Sequence, residues 1–250
     1  MNSTGDRIRD KGGVLSGLIG LVGSGEYLPS MLEVEKRLIS GRAPIYVQIS
    51  TAAGLEGPKR IQYWIDLGLA QAERLGVKAV PLSILDREAA NDYKLVEPID
   101  SAGLIYFSGG SPSHLISTIE GTLLEQRIVR AFERGAAVAG CSAGAMALGA
   151  YSLSFHRIPP RFQNGIGLAR NVAIVPHFDR VRNRITDSIL KRSIQSLGET
   201  LLIGVDEETA LVGSDVVYEV MGKGSAWVIS RDGLKRYVGG ETIEVEAAKS

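Results

Sequence analysis

Ser142 is the residue of this sequence with the best placement for nucleophilic chemistry. It is the third residue of Gly-Cys-Ser-Ala-Gly at positions 140–144, between the apolar run 136–138 and the good helix start 145–148. A G-x-S-x-G segment at a strand-to-helix turn holds the serine at the apex of a strained turn and exposes its hydroxyl. The N–H groups that begin the helix face any oxygen bound there, so the N–H of Ala143 is the first candidate oxyanion donor.

Two other interpretations of this segment stay open. Small residues also favour close backbone packing, and the motif alone does not prove catalysis. A cysteine nucleophile is the second alternative, because Cys141 stands next to the apex. Since Ser142 lies midway between the two glycines, we expect Cys141 to face the core as a small buried hydrophobe.

A serine hydroxyl needs a base, and histidine is the side chain whose pKa suits that task near neutral pH. The chain has three histidines, at positions 114, 156 and 177. His177 follows the apolar run 172–175, so we expect it at the carboxyl end of a strand and predict it to be the base. His156 stands in an irregular stretch, and His114 opens a helix, where it either contacts substrate or is solvated.

The base needs an acidic residue to orient it. Three consecutive acidic residues, Asp206, Glu207 and Glu208, follow the predicted strand 201–205. We predict that Glu207 is the orienting residue. The alternative is a solvated turn, because runs of charge usually face water.

Two glycine-rich turns are expected at the same edge of the sheet. Gly109 and Gly110 follow the predicted strand 103–107, and either could give a second oxyanion donor. Gly-Ser-Gly-Glu at 23–26 superficially suggests a phosphate loop, but it lacks the full glycine spacing and a Walker lysine. We therefore interpret it as a close turn at the wall of the pocket.

These residues need a scaffold of strands alternating with helices. Short Val- and Ile-rich runs alternate with segments of helical period, which is typical of an α/β fold with a mainly parallel sheet and helices on both faces. The predicted strands of the first half are residues 18–22, 45–50, 78–82, 103–107 and 136–140, and the predicted helices are residues 58–75 and 123–134.

The second half has a looser pattern. Tandem prolines predict an exposed loop at 157–161, because proline removes donors and restricts its neighbours. We predict strands at 172–175 and 201–205 and a helix at 180–196. Three further runs, 216–221, 226–229 and 242–245, predict an antiparallel C-terminal meander on one edge. Residues 1–13 and the last few residues are expected to be frayed.

Composition excludes several classes of protein. Lysine plus arginine number 28 and aspartate plus glutamate 28, so no net field draws the chain to nucleic acid or to a membrane surface. The single cysteine rules out an internal disulfide, and the histidines form no zinc pattern. No apolar run reaches the roughly 18 residues of a membrane span. We interpret residues 14–22 as a buried strand rather than a signal peptide, and expect a cytoplasmic protein.

Together these motifs resemble peptidase family S51, which includes cyanophycinase and aspartyl dipeptidase (dipeptidase E). The resemblance is carried, in this order, by Gly-Ser-Gly-Glu at 23–26, Phe-Ser-Gly-Gly at 107–110, Gly-Cys-Ser-Ala-Gly-Ala at 140–145, His-Phe at 177–178 with nearby arginines, and Gly-Val-Asp-Glu-Glu-Thr-Ala at 204–210.

The resemblance implies one domain over residues 1–250 with the class I glutamine amidotransferase-like fold, a flavodoxin-like three-layer sandwich with C-terminal antiparallel strands. It implies Ser142 as nucleophile, His177 as base and Glu207 as the acidic residue. The expected protein is a serine hydrolase that cleaves an amide or peptide bond in a small substrate, without a metal or another cofactor. The sequence is compatible with a homodimer as well as with a monomer.

The specificity residues match the family less well. Ser111 and Pro112 replace an Asp-Gln pair of cyanophycinases, and Val175 and Pro176 replace another. The residues expected to contact substrate are Glu26, Ser111, Arg180, Arg182 and Arg184, although alternate arginines on a helix cannot all face one pocket. Two alternatives follow, namely an inactive or non-peptidase binding protein of the same fold and an esterase or deacylase.

Overall fold

The computed structural model describes residues 17–154, 161–184, 194–214 and 216–245. Its strands are β1 (Ile19–Val22), β2 (Ile45–Ile49), β3 (Lys78–Leu82), β4 (Leu104–Phe107), β5 (Ala137–Cys141), β6 (Gly149–Ser154), β7 (Arg161–Asn164), β8 (Ala169–Val175), β9 (Leu201–Val205), β10 (Thr209–Ser214), β11 (Val217–Gly222), β12 (Ser225–Ser230), β13 (Gly233–Val238) and β14 (Thr242–Glu244). Its α-helices are α1 (Leu32–Ile39), α2 (Pro58–Leu75), α3 (Tyr93–Val96), α4 (Pro112–Ile119), α5 (Leu123–Glu133), α6 (Ala143–Leu148) and α7 (Phe178–Val181). Short 3₁₀ segments are Pro29–Met31, Thr51–Glu56, Ala89–Asn91, Glu97–Ser101 and Arg182–Arg184.

The first sheet has eight strands in the order β14-β11-β10-β1-β5-β4-β2-β3. From β1 to β3 the neighbours run parallel, and β10, β11 and β14 extend the sheet antiparallel. Strands β1, β4 and β5 are buried along their whole length. Burial on both faces explains why these strands are continuous apolar runs rather than alternating ones.

Helices cover both faces of this sheet. Successive strand residues point to opposite faces, as Tyr46 and Val47 of β2 do. Tyr46 packs with Val34 of α1 on one face. On the other face, Val47 belongs to the cluster that contains Ile128 of α5. The predicted mainly parallel α/β sheet with helices on both faces is therefore confirmed.

A second sheet of six strands, in the order β13-β12-β9-β8-β6-β7, was not predicted. Strands β6, β8 and β9 run parallel, and β7, β12 and β13 are antiparallel to their neighbours. Residues of this sheet, including Ile174 and Ile203, share one core cluster with Val138 and Phe107 of the first sheet. The two sheets therefore pack around a common interior.

The predicted C-terminal meander on one edge is wrong. Strands β11 and β14 pair within the first sheet, whereas β12 and β13 pair within the second. Sequence alternation predicts that a segment is a strand but does not specify which strand it pairs with, so the division between the sheets was not visible.

The predicted strands of the parallel sheet agree with the structure to within one residue at each end, and the helix at 58–75 agrees at both ends. The prolines at 159 and 160, residues 1–13 and most of the predicted helix 180–196 lie outside the described residues. Over the ranges that the structure describes, no helix has the length and apolar character needed to cross a membrane.

Candidate active site

Ser142 occupies a strained turn between β5 and α6. Its backbone has φ 50° and ψ −106°, a combination that L-residues rarely adopt. The turn is tight: a Cβ on Gly140 would lie 2.3 Å from the carbonyl carbon of Gly144. Only glycine allows the strand and the helix to approach this closely. The structure thus gives Ser142 the apical position that its motif predicted.

The side chains of Ser142, His177 and Glu207 form one hydrogen-bonded chain. Ser142 Oγ lies 3.1 Å from His177 Nε2, and His177 Nδ1 lies 2.8 Å from Glu207 Oε1. With a proton on Nδ1 donated to the carboxylate, Nε2 is free to accept the serine proton. The arrangement can therefore activate Ser142 as a nucleophile.

The three residues come from two sheets, not from one sheet edge as expected. Ser142 follows β5 of the first sheet, whereas His177 follows β8 and Glu207 follows β9 of the second. Strands β8 and β9 are parallel neighbours, with Val175 opposite Gly204, so their carboxyl ends hold the two side chains together. The site thus lies where the carboxyl end of β5 in the first sheet meets the carboxyl ends of β8 and β9 in the second.

The three consecutive acidic residues have different partners. The carboxylate of Asp206 accepts hydrogen bonds from the Ser225 N–H and the Trp227 indole, and burial raises the pKa of Asp206. Glu208 bonds to Lys223 and Ser30, and the hydrogen bond from Lys223 above all holds the pKa of its carboxyl below its ordinary value. Only Glu207, the middle residue, reaches the histidine.

Glu26 is a buried carboxylate in the structure, and this corrects its expected role as a substrate contact. Its side chain is 8% exposed, and its Oε1 accepts the Gly109 N–H at 2.9 Å. The second oxygen accepts the Cys141 thiol at 2.6 Å, and burial raises the pKa of that thiol well above its ordinary value. Cys141 therefore faces the interior, as predicted, and stays a protonated donor.

The structure also corrects the predicted role of Gly109 as an oxyanion donor, because the N–H of Gly109 already donates a hydrogen bond to Glu26. Gly110 has φ 140°, in a region that favours glycine, and in the described segments its N–H has no hydrogen-bond partner. The N–H of Ala143 begins α6 and has no partner within that helix. The N–H groups of Ala143 and Gly110 therefore stay the predicted oxyanion donors.

The predicted substrate contacts are mostly engaged elsewhere. Arg180 is 70% exposed, and its Nη2 pairs with Glu207 Oε2 at 2.6 Å. The Arg182 guanidinium stacks on the Trp227 ring at 4.8 Å. Arg184 has its side chain outside the described part. Ser111 caps α4 by accepting the N–H of His114 at 3.3 Å.

Of the other two histidines, only His114 lies in the part of the chain that the structure describes, and there it does not join this chain of hydrogen bonds. A Cβ on Gly54 would lie 2.7 Å from His114 Nε2, an atom that is buried beside that loop. His156 lies outside the described residues. In the regions described, no group of three His, Cys, Asp or Glu side chains could hold a metal ion.

Sequence reasoning missed Asp179 and the pairing of Arg180. Asp179 Oδ1 accepts the N–H of Glu207 at 3.0 Å, which fixes the backbone of the acidic residue. Asp179 and Arg180 follow His177 within three residues of the sequence. This closeness to the predicted base is the only sequence signal that could have indicated their contacts with Glu207.

Comparison with known proteins agrees with this geometry. The model of peptidase family S51 matches residues 27–220. A solved structure of a peptidase from an acI-B1 Actinobacterium is 40% identical, with a TM-score of 0.83 over 93% of this chain and 98% of that one. A protein from Listeria monocytogenes EGD-e, provisionally named a peptidase E, shares the fold at 15% identity, with a TM-score of 0.57 over 83% of this chain and 98% of that one. No curated protein sequence matches.

Proposed function

The chain belongs to peptidase family S51, and from this premise we propose that it is a serine peptidase that cleaves an amide bond in a small peptide. Family membership and the structural neighbours support a peptidase-like hydrolase. The observation that carries the serine type is the chain of hydrogen bonds from Ser142 through His177 to Glu207.

The reaction begins at Ser142. As Oγ attacks the substrate carbonyl carbon, His177 Nε2 takes the hydroxyl proton and the carbonyl oxygen becomes an oxyanion. The imidazolium then gives its proton to the leaving amine, the C–N bond breaks, and an acyl ester remains on Ser142. A water molecule, deprotonated by the same Nε2, then attacks the ester. The bond between the acyl carbon and Oγ breaks, the imidazolium returns its proton to Ser142 Oγ, and the acid is released. Glu207 holds Nδ1–H throughout and stabilises the imidazolium.

Two backbone donors serve the oxyanion. The N–H of Ala143 lies at the positive end of α6, directly after the nucleophile. The turn of Gly109 and Gly110 lies beside the nucleophile, because a Cβ on Gly109 would lie 3.6 Å from the Ser142 Cβ. We assign the second donor to the N–H of Gly110 in this turn. Donors fixed before the reaction stabilise the charge that develops in the transition state without reorganising.

The test is hydrolysis of a dipeptide library that includes β-aspartyl peptides. We expect Ser142→Ala to lower kcat by about 10⁶-fold, the usual consequence of losing a triad nucleophile. An exposed serine, Ser40, gives the matched control Ser40→Ala, which should keep full activity.

Labelling with a fluorophosphonate separates the mechanism from its alternatives. Wild type should acquire the label on Ser142, and Ser142→Ala should not. Hydrolysis that survives the substitution would overturn the mechanism. A wild-type protein that neither hydrolyses the library nor takes the label would instead be a binding protein of the same fold.

A further inference from the structure

The turn that supplies the Gly110 donor is held by a buried carboxylate that the mechanism does not otherwise use. We propose that Glu26 is a positioning residue, whose carboxylate fixes the Gly109 amide and thereby leaves the Gly110 N–H to face the oxyanion. This inference rests on the proposed function, because it assigns Glu26 to the same reaction.

Glu26 joins three segments around the nucleophile. It lies in the loop after β1, accepts the N–H of Gly109 after β4 at 2.9 Å, and accepts the thiol of Cys141 at the end of β5 at 2.6 Å. A buried carboxylate costs free energy unless its oxygens are hydrogen-bonded, and here each oxygen has a donor. The carboxylate is thus locked against the turn.

The turn itself stands between Glu26 and the nucleophile. A Cβ on Gly109 would lie 2.9 Å from Glu26 Oε1 on one side and 3.6 Å from the Ser142 Cβ on another. Gly110 is equally confined, because its own Cβ would lie 2.3 Å from the Ala52 carbonyl oxygen. With the Gly109 N–H directed at Glu26, the next N–H along the turn is the one without a partner.

Backbone strain also links Glu26 to the site. In the residues that the structure describes, four non-glycine residues have positive φ, namely Tyr27, Ser142, His177 and Glu208. Two of them are the nucleophile and the base, and Glu208 is adjacent to Glu207. The fourth, Tyr27, is adjacent to Glu26. Strain of this kind persists where the surroundings impose a geometry, and it clusters at functional sites.

Two variants of Glu26 and one control separate the effect of the length of its side chain from the effect of its charge. Glu26→Gln keeps the length of the side chain and one oxygen acceptor, so kcat should stay within about fivefold of wild type. Glu26→Asp keeps the charge but withdraws the oxygens from Gly109, so kcat should fall about 10²-fold with little change in KM, the pattern of a lost oxyanion donor. Glu35→Gln, at a buried carboxyl of α1 outside the site, is the matched control and should keep wild-type kcat.

A second measurement does not depend on turnover. Hydrogen exchange of the Gly109 amide, followed by NMR, should accelerate in Glu26→Asp and stay slow in Glu26→Gln. Equal kcat in wild type and Glu26→Asp would overturn the inference, as would a folded Glu26→Gln as impaired as Glu26→Asp or unchanged exchange at Gly109. If wild type is inert towards substrate and probe, the proposed function fails, and the Gly109 exchange still decides whether Glu26 holds the turn.

Discussion

At the residue scale, Glu207 differs from its two acidic neighbours in what it contacts. One of its oxygens bonds to His177 Nδ1 at 2.8 Å and the other to Arg180 Nη2 at 2.6 Å. Asp206 instead bonds to Ser225 and Trp227 of β12, and Glu208 bonds to Lys223, which lies between β11 and β12. Three adjacent carboxylates follow a predicted strand in the sequence; Glu207 was chosen from them, and the family resemblance agreed with that choice. Their individual partners could not be predicted, because an irregular turn has no periodic pattern that indicates the direction of a side chain.

Replacing Glu207 by Gln should keep the shape of the site and remove its charge. An amide group cannot hold Nδ1–H and stabilise the imidazolium as a carboxylate does, so kcat should fall about 10³- to 10⁴-fold. Glu133→Gln, at an exposed position of α5, is the control and should match wild type. Steady-state kinetics of the two folded variants decides the matter; a loss smaller than tenfold for Glu207→Gln would remove Glu207 from the mechanism.

At the element scale, the β5–α6 unit shows why part of the site was predictable. A buried strand, two glycines and a helix start specify a local turn, and the structure has that turn with Ser142 at φ 50°. The same glycines also set a tertiary contact: a Cβ on Gly144 would lie 2.6 Å from the carbonyl oxygen of Phe107 in β4. The motif therefore determines how closely the nucleophile helix approaches the sheet.

Gly144→Ala should disturb both stability and activity. Because the added methyl group meets the backbone of Phe107 rather than a movable side chain, β4 and α6 must separate, and overpacking of this kind costs about 1–3 kcal/mol. Gly239→Ala adds a methyl group 3.6 Å from the carbonyl oxygen of Gly222, an ordinary van der Waals contact, and should change stability by less than about 0.5 kcal/mol. Urea unfolding of both variants measures the difference, and equal midpoints would contradict the argument.

Elements whose partners are distant in sequence could not be predicted. Strand β10 is buried at its start and pairs with β1, with Ala210 opposite Val22, so the partners are about three quarters of the chain apart. Strands β6 and β7 carry polar residues and glycine within short runs, which gives no clear period. Such pairings depend on tertiary contacts rather than on local pattern. This is why His177 and Glu207 were placed at the right strand ends but on the wrong sheet.

At the scale of the whole molecule, the interior contains a titratable group remote from the triad. Glu35 of α1 is 1% exposed, and its Oε1 accepts a hydrogen bond from Gln71 of α2 at 3.0 Å. Burial raises the pKa of its carboxyl from 4.5 to about 7, since the charged form is poorly solvated there. The fold therefore prefers this carboxyl protonated, and its stability becomes linked to pH.

The direction of this linkage follows from the raised pKa. Below 4.5 the carboxyl is protonated in both states, whereas between 4.5 and about 7 the unfolded chain loses the proton and the folded protein keeps it, so stability falls as pH rises through this window. From about pH 5 to about pH 8, wild type should lose on the order of 2 kcal/mol more unfolding free energy than Glu35→Gln. Glu33→Gln, exposed on the same helix, should keep the wild-type slope. Urea unfolding of the three proteins at both pH values measures these slopes, and parallel slopes for wild type and Glu35→Gln would show that Glu35 ionises in the folded protein as it does in the unfolded chain.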